Sequence, residues 1–449
     1  MNPQIYREYD IRGLVDKDLT NEGIYLLGRG IGAYLVRGGK KTATLGQDCR
    51  LSSPAYAAEI ARGLLDSGMD VVDLGVVPTP VFYFSIHHLN ADGGVMVTAS
   101  HNPPEYNGFK ICSGFDTLYG AQIQDVRKLV EAADFVSGKG KMTRADVVPA
   151  YTAYLLKNIR VPRPLSVAVD AGNGTAGVVA VPILKGLGMK VHDIFCEPDG
   201  RFPNHSPDPT VAKNNVALAA LVKEKRCDIG IGFDGDGDRI GVLDENGEMI
   251  YGDKLLIIFA REILSRKPGA VVISEVKCSQ TLYDDVAAHG GKPVMWKTGH
   301  SLIKNKMKEE NADLAGEMSG HMFFADRYLG FDDATYAACR ILEIVAGGSK
   351  KVSELLSDVP ETFSTPELRV DCPDETKFDV VDRVTAYFKS RAKVIDIDGC
   401  RVLYPDGWGL VRASNTQPVL VLRFEALSET RLSEIRAEVE GVVKAMREA

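Results

Sequence analysis

The feature that most limits how this chain can fold is a pattern that recurs three times. An apolar, β-branched run ends in a polar loop, and a second such run follows, ending in a loop dense in Ser, His, Asp or Glu. The first pair is TATLGQD (42–48) and VMVTASHNP (95–103). The second is SVAVDAGNG (166–174) and DIGIGFDGDGD (228–238), and the third VVISEVKCS (271–279) and NADLAGEMSGH (311–321). Stretches such as 54–67 and 213–225 lie between the runs, with Ala, Leu and Val spaced among Glu, Arg and Lys. Strands alternating with helix-like segments predict α/β layers. Ligands gather at the carboxyl ends of strands in open α/β sheets. The repeat therefore predicts three similar mixed α/β domains whose loops converge on one central cleft.

From residue 361 the texture changes. Residues 361–375 lead into a fourth segment, and 394–426 read as a strand meander with turns at Asp398-Gly399 and Asp406-Gly407. An amphipathic helix from Glu429 to Arg447 closes it, so this part is expected to be α+β. Pro162 and Pro164 mark a joint before the second unit, and Pro360 one before the fourth. The expected domains are 1–147, 148–249, 250–361 and 362–449.

Composition narrows the function classes. A net charge of −8 without a Lys/Arg block argues against nucleic acid as a partner, yet allows a local basic pocket for a phosphorylated small molecule. The eight cysteines include no C-x-x-C pair, which argues against zinc and predicts reduced thiols. The first residues, MNPQIYREYDIRG, lack the apolar core of a signal peptide, and no apolar run reaches the roughly 20 residues of a membrane span. The cytoplasm is the expected compartment, with no membrane partner.

The strongest chemical signal is Asp234-Gly235-Asp236-Gly237-Asp238-Arg239. Three carboxylates at alternate positions, with glycines between, can fold onto one centre. Hard oxygens suit Mg²⁺ or Ca²⁺. An EF-hand is excluded because Arg239 stands where that loop needs Gly and the flanks read as strands. Three protein ligands leave room on a Mg²⁺ ion for a phosphoryl oxygen.

Three further loops extend the picture. Ser100, in Thr98-Ala99-Ser100-His101-Asn102-Pro103, follows a buried strand. No G-x-S-x-G elbow surrounds it, and neighbouring side chains in an extended loop point apart, so a Ser-His triad is not expected. With the Asp loop present, a phosphoserine at Ser100 on Mg²⁺ is the better account. Lys110 could steady the phosphoryl group or accept a proton, with a pKa lowered by packing among cations. In Gly316-Glu317-Met318-Ser319-Gly320-His321, alternate side chains on an extended strand end would face one side and bind sugar hydroxyls. Arg412-Ala413-Ser414-Asn415-Thr416-Gln417-Pro418 has the makings of a phosphate cradle.

Taken in order, these four loops make the chain resemble the α-D-phosphohexomutase superfamily, across essentially its whole length. The resemblance is closest to the bacterial phosphomannomutase/phosphoglucomutase branch, which has G-E-M-S-G-H and R-A-S-N-T; Met318, Asn415 and Gln417 depart from the phosphoglucosamine mutase pattern. It implies that Ser100 is the phosphoserine and that Asp234, Asp236 and Asp238 hold one Mg²⁺ with it. It places Arg12, Lys110 and Arg239 at the transfer site and Glu317 and Ser319 on hexose hydroxyls, with His321 near the reacting end. Arg412, Ser414, Asn415 and Thr416 would bind the phosphate not being transferred, and Tyr9, Lys277 and His300 fall at further ligand positions. The implied reaction interconverts hexose 1- and 6-phosphates, of mannose and glucose, through a bisphosphorylated hexose that also serves as activator. A monomer or weak homodimer is expected. The alternatives are a phosphoglucosamine mutase, a sugar-phosphate phosphohydrolase and a non-catalytic sensor.

Overall fold

A computed structural model describes residues 2–415 and 417–448. Its first three sheets share one arrangement. In the first, Thr42–Gln47 runs parallel to Asp70–Val76 on one side and to Gly93–Val97 on the other, and Tyr106–Ser113 returns antiparallel to Gly93–Val97. In the second, Ser166–Asp170 lies between Lys190–Ile194 and Ile229–Phe233, with Ile240–Leu243 antiparallel. In the third, Val271–Glu275 lies between Lys292–Trp296 and Leu314–Gly316, with Met322–Phe324 antiparallel. The loop between the parallel strand and its antiparallel neighbour carries Ser100 in the first sheet, Asp234–Asp238 in the second and Glu317–His321 in the third. The repeated sequence pattern is thus a repeated topology.

These strands read as continuous apolar runs because both faces are covered. Gly93–Val97 and Ile229–Phe233 are buried at every position. Helix Thr79–His88 buries Val81, Phe82, Tyr83, Phe84 and Ile86 in one cluster with Tyr151, Phe259 and Tyr336, so one apolar cluster spans the first three units. Each large apolar side chain so buried stabilises by about 1.5–3 kcal/mol.

The fourth sheet is antiparallel. Val419–Ala426 pairs with Gly407–Ala413, Leu368–Asp371 and Phe363–Ser364, and the sheet continues through Cys400–Tyr404 to Lys393–Ile395. Helices Lys377–Lys389 and Glu429–Glu448 share its separate core, through Val384, Phe388, Ile435 and Val439. This α+β unit meets the third through Val276, Trp408 and Leu410. Polar contacts reinforce that joint: Arg401 Nη1 donates to the carbonyls of Val276 (2.6 Å) and Cys278 (2.9 Å), and Arg423 Nη1 to that of Lys277 (2.8 Å). All eight cysteines are unpaired. Among the described residues no helix is long and apolar enough to cross a membrane.

Candidate active site

Strand Gly93–Val97 delivers Ser100 to the cleft, and the backbone then turns sharply. Ser100 has φ +50°, left-handed for a residue with a Cβ, at a cost of about 1–2 kcal/mol. Thr98 Oγ1 accepts from its N–H at 2.9 Å. The turn sets Ser100 Oγ 2.6 Å from Asp234 Oδ2 and 3.1 Å from His101 Nδ1. The expectation that Ser100 and His101 point apart is corrected here. It assumed an extended loop, and the left-handed residue folds the two side chains together.

The Asp loop meets Ser100 from the second unit. Its three carboxylates are fully buried, and one oxygen of each lies within 4.8 Å of the others. Glycine is required at Gly235, where a Cβ would stand 2.4 Å from the Ser100 carbonyl oxygen, and at Gly237, whose φ is +76°. Asp234 Oδ1 accepts from the N–H groups of Asp238 and Arg239, both at 3.1 Å. Asp236 Oδ2 accepts from Thr79 Oγ1 at 2.6 Å and from Lys110 Nζ at 2.9 Å, and Asp238 Oδ2 also pairs with Lys110. Asp236 Oδ1 and Asp238 Oδ1 remain buried without a protein donor. Each such atom costs about 1–3 kcal/mol. Burial, with the charges of Asp236 and Asp238, pushes the Asp234 carboxyl well above its ordinary range. Burial acts on Asp236 likewise, but Lys110 and Thr79 outweigh it and hold that carboxyl low. Clustered hard oxygens, two of them unanswered, fit one divalent cation.

Lys110 lies in different company from that expected. Burial works to lower its pKa, but the charges of Asp236, Asp238 and Asp332 outweigh it and raise the ammonium above its ordinary value. The expectation of a lysine among cations fails because strand Tyr106–Ser113 points it straight at the Asp loop. Arg12 donates to Asn102 Oδ1 at 2.8 Å and to Asp10 at 2.5 Å, which places it beside the serine loop. Arg239 Nε donates to His321 Nε2 at 3.0 Å, and the two residues also form a backbone bridge between the second and third units. His321 Nδ1 stands 3.0 Å from Asp332 Oδ2 and 3.5 Å from Asp238 Oδ1.

A second group gathers around the third and fourth units. Glu317–His321 form a tight turn rather than an extended strand end: Gly320 N donates to Glu317 O at 3.0 Å and Glu317 N to His321 O at 2.9 Å. Glu317 and Ser319 still meet, with Ser319 Oγ donating to Glu317 Oε2 at 2.9 Å. Glu317 Oε1 accepts from Gly299 N at 2.6 Å. His300 opens helix His300–Glu310 and lies between the rings of Tyr9 and His321, at 6.3 Å and 5.5 Å. Tyr9 joins three units: its hydroxyl donates to Thr298 O at 2.6 Å and accepts from Asn415 Nδ2 at 2.6 Å. Burial pushes that phenol up to about 12, against the pull of Arg412 and Asn415. Ser414 Oγ accepts from Gln417 N at 3.2 Å. Thr416 lies outside the described residues.

Sequence reasoning missed the counter-charges. Arg412 Nε donates to Asp398 at 3.0 Å, and Lys277 Nζ to Glu367 at 2.8 Å; Lys277 in turn holds Glu367 down at about 2. Asp332, fully buried, also accepts from Lys304 at 3.1 Å. None of these acids sits in a distinctive motif, and Asp398 had been noted only as a turn residue. Arg50 and Asp48, beneath the serine loop, carry no motif either: Asp48 ends the run 42–48 and Arg50 lies just beyond it.

Comparison with known proteins agrees with this arrangement. The phosphoglucomutase/phosphomannomutase alpha/beta/alpha domains I, II and III match residues 3–137, 149–247 and 251–363, and the C-terminal domain of the same family matches 367–442. The chain is 46% identical over 443 residues to a phosphomannomutase/phosphoglucomutase of Pseudomonas aeruginosa, covering 98% of this chain and 96% of the relative. It is 45% identical over 445 residues to a phosphoglucomutase of Neisseria meningitidis, with 98% and 96% covered. A crystal structure of a phosphoglucomutase/phosphomannomutase family protein from Burkholderia thailandensis superposes with a TM-score of 0.94 at 43% identity, over 99% of this chain and 97% of that one. With all four domains matched in order along its length, the chain belongs to the phosphoglucomutase/phosphomannomutase family of α-D-phosphohexomutases.

Proposed function

We propose that this hexose-phosphate mutase carries the travelling phosphoryl group on Ser100 and interconverts the 1- and 6-phosphates of mannose and glucose. The observation that carries the reading is the placement of Ser100 Oγ, 2.6 Å from Asp234 Oδ2, where three buried carboxylates and Lys110 meet. Asp234, Asp236 and Asp238 would hold one Mg²⁺ together with Ser100. When bound, the ion supplies charge stabilisation at the transferring phosphoryl group.

The protein groups divide the remaining work. Phosphoserine 100 gives its phosphoryl to the free hydroxyl of a hexose phosphate: the P–Oγ bond breaks, a P–O bond to the sugar forms, and the sugar hydroxyl loses its proton. Arg12 and Arg239 offset negative charge on the moving group. Lys110 is the first candidate for taking the proton and His321 the second. Asp236 and Asp238 hold that lysine's proton here, so its use as a base requires both carboxylates to be engaged elsewhere. The freed serine regains a proton and donates it to Asp234, as the hydroxyl does in this structure. Glu317 and Ser319 bind sugar hydroxyls, and Tyr9, Lys277, His300, Arg412, Ser414, Asn415 and Thr416 bind the rest of the ligand, the last four cradling the phosphate that stays. The bisphosphorylated hexose turns over in the cleft and returns its other phosphate to Ser100, so it also serves to prime the enzyme. We place the enzyme in the cytoplasm as a monomer or weak homodimer.

Intact mass after incubation with hexose 1,6-bisphosphate tests the carrier. The wild type is expected to gain one phosphoryl group and Ser100→Ala none, with mutase turnover falling by about 10³-fold or more. A Ser100→Ala protein that still gains the group, or still turns over near the normal rate, rules the carrier out. Turnover of glucosamine 6-phosphate above that of the mannose and glucose phosphates would reassign the substrate.

A further inference from the structure

The strained serine turn needs something to hold it, and the holder is a single side chain. Arg50 lies just beyond the first strand run, and its side chain is wholly buried. Its guanidinium has five N–H donors. Nη2 donates to the carbonyl oxygens of Ser100 (2.9 Å) and Asn102 (2.6 Å). Nη1 donates to those of Pro103 (2.7 Å) and Tyr106 (3.0 Å). Nε donates to Asp48 at 3.1 Å. Every donor is used, and four of the five go to one loop.

Asp48 anchors this fork. It also accepts from Arg50 N at 2.9 Å and from Ser53 Oγ at 2.5 Å, at the start of helix Ser53–Asp66. On the far side the Arg50 guanidinium stacks over Phe202 of the second unit, 5.0 Å from its ring centre. The fork therefore sits where the serine loop and the second unit come together. Gly235, beside Asp234, packs against the same Ser100 carbonyl oxygen that Arg50 holds.

We infer that Arg50 is a positioning residue for phosphoryl transfer, clamping the carbonyls of the Ser100 loop so that the left-handed serine presents its Oγ to the Asp234 carboxylate. The inference rests on Ser100 being the carrier. A planar five-donor fork can hold four carbonyls at once; a lysine has three donors on one atom and cannot. Displacing a reacting group by about 1 Å can cost on the order of 100-fold in rate. The sugar-phosphate anchors, on Arg412 and the Glu317 turn, are not held by this arginine.

Arg50→Lys tests this, with Arg340→Lys as the comparison. Arg340 is just as buried, but its partners Glu262, Asp326 and Tyr336 lie in the third unit away from the serine. Both variants are expected to lose thermal stability. Arg50→Lys alone should lose about 100-fold in kcat, with KM for the hexose phosphate within about threefold of wild type. The idea is overturned if Arg50→Lys keeps kcat within about threefold, if both variants lose kcat equally, or if KM rises as much as kcat falls. Should Arg50→Lys not fold, Asp48→Asn replaces it: about a tenfold fall in kcat at unchanged KM supports the clamp, and an unchanged kcat overturns it. Intact mass of the wild type separates the two levels. A wild type that takes no phosphoryl group on Ser100 removes the carrier and the clamp with it. A phosphorylated wild type beside an unimpaired Arg50 variant removes only the clamp.

Discussion

The two ends of the cleft handle charge in opposite ways. Around Ser100, Asp234, Asp236 and Asp238 are fully buried together; Lys110 answers two of them, and one oxygen each of Asp236 and Asp238 has no donor. Around Arg412, the cations are each already matched, Arg412 by Asp398 and Lys277 by Glu367. The first end is a preformed receptor for a cation, carrying unanswered oxygens. The second keeps the cations proposed to bind phosphate paired with acids, which an incoming dianion would have to displace. Binding at the first end relieves repulsion, whereas binding at the second exchanges one ion pair for another. The first end should therefore control rate and stability, and the second affinity.

The largest expected break of this contrast is Asp238→Asn. Turnover should fall by about 10²–10³-fold, as expected when charge stabilisation at a reacting group is lost. In the wild type, Mg²⁺ should raise the melting temperature by a few degrees, because a ligand bound only by the folded state stabilises it. That rise should vanish in Asp238→Asn, and a variant that keeps the full shift would show that the ion sits elsewhere. Next comes Arg412→Ala. Loss of a charge-assisted, forked contact to phosphate should raise KM by about 10–100-fold with kcat changed by less than about threefold. A fall in kcat as large as the rise in KM would mean that the two ends are not separate. Tyr9→Phe should act more weakly. It removes both hydrogen bonds of the hydroxyl, the one to Thr298 O and the one from Asn415 Nδ2, for about a three- to tenfold rise in KM, read from initial rates at saturating bisphosphate.

The smallest effect lies outside both ends. The His205 imidazole stands 3.0 Å from Asp170, and this contact raises its pKa above the ordinary 6.5 against the opposing effect of burial. A raised histidine contributes stability that is complete below pH 6.5 and lost as pH climbs through the raised value. The melting-temperature difference between wild type and His205→Asn should thus be largest near pH 6 and shrink by about pH 9. A difference that grows with pH would contradict the assignment, and neither end of the cleft should change its kinetics.

Much of this was legible in the sequence, for a physical reason. The loops at Ser100, Asp234, Glu317 and Arg412 each fall within five to seven consecutive residues, and the strands that deliver them read as apolar runs. What stayed hidden depends on single residues meeting across long separations. Asp332 meets His321 and Lys304, Glu367 meets Lys277, and Arg50 meets four carbonyls 50 to 56 positions away, without a spacing to betray them. The misreading of His101 has a smaller cause. One positive φ at Ser100 undoes the alternation that an extended loop imposes. Lys110 was misjudged because its neighbours come from another domain.

The Tyr9 hydroxyl, shared between Thr298 and Asn415, bears on how often the cleft can open. On the Tyr9 side, this oxygen ties the first unit to the fourth through Asn415. On the other side Arg401, Arg423 and Trp408 hold the fourth unit to the third more broadly. If the fourth unit swings, the broad side would serve as the pivot and the narrow side as the catch. The hydrogen bond from Asn415 to Tyr9, at about 0.5–1.5 kcal/mol, would put the released state at roughly one molecule in three to one in fourteen. A catch of that strength would be weak enough to let the proposed bisphosphorylated sugar loosen and reverse without leaving. It would still be strong enough to keep the cleft shut for most of the enzyme's time.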